Sequence, residues 1–135
     1  MPPETAGAGL PQAVSACRGC GACVRACPSG CLAGSGKECL SAITQKKGDL
    51  NEQERALLQA GGSVWGCDCC QLVCPHNAVA MQAENHTPIP YFRQNRIKRL
   101  TRACLDAMSE EEFSARAFSF RGRAPLERNL DLLNT

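Results

Sequence analysis

Cysteine is the residue type through which this chain could do chemistry. Four cysteines follow one another at short intervals and a proline closes the run, at Cys17, Cys20, Cys23, Cys27 and Pro28. This C-x2-C-x2-C-x3-C-P spacing is the bacterial pattern for [4Fe–4S] clusters, in which three thiolates bind one cluster and the fourth binds its neighbour. One complete run therefore predicts two clusters and a role in electron transfer.

A second block of cysteines follows the same pattern but is incomplete. Its C-x2-C-x3-C-P spacing is formed by Cys67, Cys70, Cys74 and Pro75. Val64 occupies the position at which the leading cysteine would stand. The second cluster therefore needs a ligand from another part of the chain.

Exchange of the fourth ligands between the two blocks assigns eight of the eleven cysteines to clusters. The predicted ligands of the first cluster are Cys17, Cys20, Cys23 and Cys74. The predicted ligands of the second cluster are Cys27, Cys39, Cys67 and Cys70. Cys39 lies in the loop between the blocks and is the natural substitute for the missing cysteine, with Cys31 as the alternative. Cys69 and Cys104 receive no ligand role.

Zinc is the competing interpretation, because C-x2-C pairs also form tetrahedral zinc sites. A structural zinc site rarely needs two C-x3-C-P segments, which favours iron–sulfur clusters. The composition also indicates a fold held together by cofactors. A chain of 135 residues with only 4% aromatic residues forms a marginal hydrophobic core, so it needs a metal or covalent staple.

The same sequence excludes several other classes of protein. The odd number of cysteines argues against a closed set of disulfides, and residues 1–30 contain no secretory signal. No stretch of about 18 apolar residues occurs, which excludes a membrane-spanning helix. We therefore expect a cytoplasmic chain in a reducing compartment, with no membrane partner.

Turn and capping signals outline the elements that must position these cysteines. Residues 1–14 are rich in Pro, Gly and Ala and predict a flexible lead-in or severed linker. Residues 15–84 hold both blocks and predict a double [4Fe–4S] ferredoxin-like domain. Between the blocks, Asn51 and Glu54 form a capping box that starts a helix, and Gly61 ends it.

Helices are also predicted for a C-terminal extension, residues 91–135. Apolar residues recur at helical spacing over residues 94–108, which indicates an amphipathic helix. A capping box at Ser109 and Glu112 starts a second helix, and Pro125 suits the first turn of a third. The predicted fold class is α+β but mostly α, with the ferredoxin-like domain ahead of a short helical extension.

The complete cysteine run and several later segments together carry a family resemblance. The later segments are residues 39–48, 65–77, 111–113 and 121–123. From residue 17 onward, the chain is similar to the C-terminal iron–sulfur module of the epoxyqueuosine reductases. The resemblance implies a part in a cobalamin-dependent enzyme that reduces the epoxide of epoxyqueuosine to queuosine in tRNA, with two [4Fe–4S] clusters delivering electrons to the cobalamin.

The resemblance also implies roles for particular residues. In the family pattern the eight predicted cysteines bind the clusters, with Cys39 as the substitute ligand, and Ser41 and Asp68 face the cobalamin. A cobalamin reduced to a strong nucleophile needs a low-potential donor close by. The two clusters would meet that need, and a low-potential electron donor is expected as the partner that reduces the clusters.

The order of domains departs from the family. The family carries its cobalamin domain and its catalytic acid ahead of the first cysteine run, whereas 16 residues precede Cys17 here. We therefore expect a C-terminal fragment, or one chain of a split enzyme whose partner supplies the cobalamin domain, without catalysis by this chain alone. The alternative is a free-standing two-cluster ferredoxin. A third possibility is that the chain is the iron–sulfur module of another kind of cobalamin-dependent reductase. The sequence of residues 39–48 argues against that possibility.

Basic residues suggest a nucleic-acid partner. Residues 91–135 hold nine basic and six acidic residues within a formal net charge of +2. The residues that could attract tRNA phosphates are Lys46, Lys47, Arg93, Arg96, Lys98, Arg99 and Arg102. A solvated helix face is the other interpretation, since no aromatic residues interleave with this cluster for base stacking.

Overall fold

The computed structural model describes residues 17–82 and 86–134. Its α-helices are α1 Ala22–Ala26, α2 Leu40–Gln45, α3 Glu52–Gly61, α4 Cys69–Leu72, α5 Arg102–Asp106, α6 Glu110–Ser114 and α7 Ala124–Leu133. Short 3-10 helices cover Cys31–Ala33, Pro75–Asn77, Pro90–Arg93 and Ser119–Arg121. The mostly α part of the predicted α+β fold class is confirmed. Its β part and the ferredoxin-like description are not confirmed, because no strand occurs in residues 17–82 and 86–134. None of the described helices is long and apolar enough to cross a membrane. The lead-in predicted for residues 1–14 lies outside the described residues.

Local capping signals start two of the helices where the sequence predicts. The side chain of Asn51 accepts the Glu54 N–H at 2.9 Å, and the Glu54 carboxylate accepts the Asn51 N–H at 2.9 Å. The same reciprocal pair of hydrogen bonds joins Ser109 and Glu112 at the start of α6. Gly62, and not Gly61, ends α3, because it adopts a left-handed φ of 63° that glycine tolerates without strain.

The long amphipathic helix predicted for residues 94–108 is wrong. Within that range only α5 is helical. Asn95 has a left-handed φ of 50°, which a continuous helix does not accommodate. The Thr101 side chain accepts the Cys104 N–H at 3.2 Å and so starts a new helix there. The apolar spacing marked residues that pack in the core, such as Leu100, but not the conformation that carries them.

Two small hydrophobic clusters form the core, and α7 contributes to both. The first hydrophobic cluster consists of the buried residues Leu40, Ile43, Leu50 and Leu58. The second hydrophobic cluster consists of the buried residues Leu105, Phe113, Leu126 and Leu130. Leu132 and Leu133 of α7 also pack on the first hydrophobic cluster, so α7 lies against α2 and α3 as well as α5. Since α2 begins directly after Cys39, α7 supports a segment that carries a predicted ligand.

Candidate iron–sulfur centre

The complete cysteine run folds as a loop followed by a short helix. Cys17 and Cys20 are exposed in the loop, Cys23 lies in α1, and Cys27 directly follows that helix. Gly21 caps the start of α1 with a left-handed φ of 70°, which makes the turn tight. A tight turn of this kind suits cysteines spaced by two residues that bind a common cluster.

The second block is organised in a similar way. Cys67 lies in the loop before α4, Cys70 lies within α4, and Cys74 immediately precedes a 3-10 helix that starts with Pro75. Helices α1 and α4 pack against each other. The two cysteine blocks, far apart in the chain, are therefore neighbours in the fold.

Cys39 is an exposed residue at the N-cap position of α2. Burial raises the pKa of the Cys67 thiol and a hydrogen bond from the Cys69 backbone lowers it, while a hydrogen bond with the Cys69 side chain and repulsion from Cys69 and Cys39 raise it further. Cys39 also contributes repulsion at Cys31. Its role as the substitute ligand stays a prediction.

Cys31, the alternative ligand, lies against Cys27. Their sulfur atoms are 3.5 Å apart. Hydrogen bonds led by the Leu32 backbone N–H lower the pKa of Cys27 to about 6. The Ser29 hydroxyl lowers the pKa of Cys31, but the hydrogen bond with Cys27, burial and repulsion from neighbouring thiolates outweigh it, so that pKa is raised. The thiolate is the form that binds a metal, so the lowered pKa of Cys27 suits the ligand role predicted for it.

The chemistry of the donor set fits iron–sulfur clusters. All eleven cysteines are free thiols. Across residues 17–82 and 86–134, no three Cys, His, Asp or Glu side chains converge as the ligands of a single metal ion would. Cysteine thiolates are the ligands that proteins supply to [4Fe–4S] clusters, and here they come from two packed blocks and one connecting segment.

A cleft of about 580 Å³ lies beside the start of α2. Its walls include Cys39, Ser41, Gln45, Lys46, Lys47 and Arg121. The structure thus brings Ser41, predicted to face the cobalamin, to the same cleft as a predicted cluster ligand. Asp68 is exposed at the start of α4 and is not among the residues that line this cleft. Arg121 was not predicted as a site residue, although it lies in one of the segments that carry the family resemblance.

The predicted basic residues differ in their surroundings. Those that are exposed are Lys47, Arg93, Arg96, Lys98 and Arg99. Arg102 is held by the carboxylates of Asp106 at 3.0 Å and Asp131 at 2.9 Å. Lys46 forms an ion pair with Glu54. Of the predicted set, the exposed residues therefore present the charge that a polyanion would meet.

Sequence reasoning missed two polar residues on the packed side of α7. Arg128 and Asn129 lie between the fully buried residues Leu126 and Leu130, and Asn129 itself has no exposed surface. Both make hydrogen bonds to segments more than 60 residues away in the chain. The available signal was a polar pair that interrupts the apolar face of an otherwise amphipathic helix.

Comparison with known proteins finds a family of domains that the cysteine-containing part of the chain resembles. Residues 16–77 match the family described as the 4Fe-4S double cluster binding domain. The prediction of a [4Fe–4S] domain, made from the cysteine spacing, is therefore confirmed at the level of the domain.

The chain is similar to several epoxyqueuosine reductases. The epoxyqueuosine reductase of Listeria monocytogenes is 39% identical over 119 residues, which cover 84% of this chain and 31% of the relative. A selenomethionine-labelled epoxyqueuosine reductase has a TM-score of 0.61 and 34% identity, covering 87% of this chain and 32% of that one. An epoxyqueuosine reductase in complex with an epoxyqueuosine-modified tRNA-Tyr stem loop gives the same values. The predicted resemblance to the iron–sulfur module of these enzymes is confirmed, and the chain spans about a third of their length.

Proposed function

We propose that this chain carries two [4Fe–4S] clusters and transfers electrons as the C-terminal module of an epoxyqueuosine reductase-like oxidoreductase. The packing of α1 against α4 carries the proposal, because it makes neighbours of two cysteine blocks that would exchange their fourth ligands. Further support comes from the double-cluster match over residues 16–77 and from 34% identity to a solved epoxyqueuosine reductase. Reduction of epoxyqueuosine to queuosine in tRNA would be the reaction of the assembled enzyme.

Eight cysteines are the proposed ligands. The first cluster would be held by Cys17, Cys20, Cys23 and Cys74, and the second by Cys27, Cys39, Cys67 and Cys70. When bound, such clusters accept and release single electrons at potentials set by hydrogen bonds to sulfur, charge and solvent exposure. In this chain, the hydrogen bonds around Cys27 favour its thiolate, which is the state that a ligand needs.

Delivery of electrons to a cobalamin is the finer part of the proposal. Ser41 and Asp68 would contact the cobalamin, and each lies within two residues of a proposed ligand of the second cluster, Cys39 or Cys67. That cluster would therefore be the one that reduces the cobalamin. The cobalamin domain would be supplied by the remainder of the enzyme or by a partner chain, and a low-potential donor would reduce the clusters.

A tRNA is the proposed macromolecular substrate. The exposed cations of residues 93–99, together with Lys47, would meet its phosphates through a charge interaction that weakens with salt. An epoxyqueuosine reductase that is 34% identical to this chain has been solved with a modified tRNA stem loop. The cytoplasmic location stays a prediction.

Anaerobic reconstitution with iron and sulfide tests the cluster count directly. We expect about eight iron atoms per chain, two clusters of four. A value near four, or stoichiometric zinc in the purified protein, would contradict the ligand assignment.

A pair of matched variants tests the eighth ligand. Cys39→Ala is expected to lose the second cluster and about half of the iron, whereas Cys31→Ala keeps both clusters. The reverse pattern would transfer the ligand role to Cys31. Electron transfer from the reconstituted chain to a cobalamin-domain protein then separates the proposed function from that of a free carrier, which would reduce only unrelated acceptors.

A further inference from the structure

We propose that α7 positions the ligands of the second cluster through a polar bridge formed by the buried residues Asn129 and Thr44 and the partly buried Arg128. The inference rests on the proposed function, in which Cys39 and Cys67 both bind that cluster. These cysteines lie on different segments, since one precedes α2 and the other follows the loop after α3. A shared cluster requires that the two segments keep a constant separation.

Asn129 is the centre of the bridge. Its side chain is 0% exposed. Its Nδ2 donates one hydrogen bond to the Thr44 carbonyl at 2.7 Å and another to the Val64 carbonyl at 2.8 Å. Thr44 belongs to α2, which starts after Cys39, and Val64 lies three residues before Cys67. One amide group therefore ties both ligand segments to α7 and to each other.

Thr44 joins the same two segments a second time. Its side chain is also 0% exposed. The hydroxyl donates to the Ser41 carbonyl at 2.7 Å and accepts the Gly66 N–H at 2.9 Å. Gly66 directly precedes Cys67, and Ser41 lies two residues after Cys39. The hydroxyl thus connects the backbone beside one proposed ligand with the backbone beside the other.

Arg128 orients Asn129 and closes the end of α2. Its Nε and Nη2 donate to Oδ1 of Asn129 at 3.1 Å and 2.9 Å, which leaves Nδ2 to make the two bonds described above. Its Nη2 also donates to the carbonyls of Ile43 and Thr44 in the last turn of α2, each at 3.4 Å, and its Nη1 donates to the carbonyls of Lys46 and Gly48 just after the helix. The last carbonyls of a helix lack partners within the helix, so the guanidinium satisfies groups that would otherwise need water.

The bridge acts on the second cluster in preference to the first. The hydrogen bonds of Arg128, Asn129 and Thr44 go to α2, to the residues just after it and to the Val64–Gly66 segment. Ligand placement and solvent exposure both set the potential of a cluster, and residues that orient its ligands influence both. Loss of the bridge should therefore change the second cluster while the first remains as an internal reference.

The test uses a pair of variants at Thr44 in the reconstituted protein. Thr44→Val keeps the shape of the side chain but removes the hydroxyl, and Thr44→Ser restores it. We expect Thr44→Val to shift the midpoint potential of one cluster only, and Thr44→Ser to return that potential toward its original value. Potentials are measured by anaerobic titration followed by electron paramagnetic resonance.

A second pair of variants tests α7 itself. Asn129→Leu removes both donors and is expected to lower the iron content from about eight to about four atoms per chain. Asp131→Asn is the matched control, because Asp131 lies on the same helix but pairs with Arg102 instead. The control should keep about eight iron atoms. Far-ultraviolet circular dichroism of each variant reports whether the helices are retained.

The possible outcomes are distinct. Fewer than two clusters in the unmodified protein would overturn the proposed function and this inference together. Two clusters with unchanged potentials in both Thr44→Val and Asn129→Leu would overturn only the positioning role. Loss of both clusters in Thr44→Ser as well as Thr44→Val would also overturn it, since the hydroxyl would then have no selective effect.

Discussion

Gly61 is a position at which tertiary packing reverses the usual preference against glycine in a helix. Alanine is favoured over glycine inside a helix by roughly 0.5–1 kcal/mol. A Cβ at Gly61 would lie 2.4 Å from Cδ2 of Leu40, and Leu40 is only 2% exposed. Leu40 belongs to the first core cluster and cannot move without displacing its neighbours. We therefore expect Gly61→Ala to destabilise the protein.

The expected magnitude follows from two opposed effects. Overpacking of a core costs about 1–3 kcal/mol, which exceeds the gain in helix propensity and leaves a net loss of about 1 kcal/mol. Leu40→Ala removes the obstructing atoms and itself costs about 2–5 kcal/mol. In that background, Gly61→Ala should stabilise by about 0.5–1 kcal/mol. The change of sign corresponds to a coupling energy between the two positions of about 1–3 kcal/mol.

Thermal unfolding of the cluster-loaded protein under anaerobic conditions measures this effect. Four proteins are compared at one scan rate: the unmodified chain, each single variant and the double variant. A change of 1 kcal/mol corresponds to roughly 2–8 °C in Tm for domains of this size range. Ala56→Gly, at an exposed position of α3, is the control and should lower Tm equally in both backgrounds. A rise in Tm from Gly61→Ala in the presence of Leu40 would refute the packing explanation.

Two further predictions concern capping and pH. Ser109→Ala removes the acceptor for the Glu112 N–H and should destabilise the protein by about 0.5–2 kcal/mol. Ser109→Thr keeps a hydroxyl at this position and should keep most of the stability. Equal Tm values for the two variants would contradict a capping role for Ser109. Hydrogen bonds from the Lys46 ammonium and the Asn51 N–H hold the pKa of Glu54 below its usual range. The ionised Glu54 therefore stabilises the protein at neutral pH, and this stabilisation is lost as the pH falls through the lowered pKa of Glu54. The decrease in Tm on acidification should therefore be smaller for Glu54→Gln than for the unmodified protein, and parallel curves would show that the carboxylate does not contribute.

Local patterns were sufficient for features that depend on a few neighbouring residues. The cysteine spacing predicted the [4Fe–4S] domain, because ligands separated by two or three residues reach one cluster from a single loop. The capping boxes at Asn51 and Ser109 started helices as predicted, since each box satisfies backbone N–H groups within its own turn. Helical periodicity failed over residues 94–108, where it marked packed residues but not the left-handed Asn95 that excludes a continuous helix.

Short-range patterns in the sequence were therefore enough to predict the [4Fe–4S] domain, the family resemblance and the helix starts at Asn51 and Ser109. Only the folded chain shows that α1 packs on α4 and that Asn129 joins α2 and Val64 to the last helix. These contacts join segments far apart in the chain, and they form only when the hydrophobic core packs and the buried polar groups find hydrogen-bond partners at the same time. A buried amide finds its acceptors only when distant segments have already packed around it, and no local pattern specifies those partners.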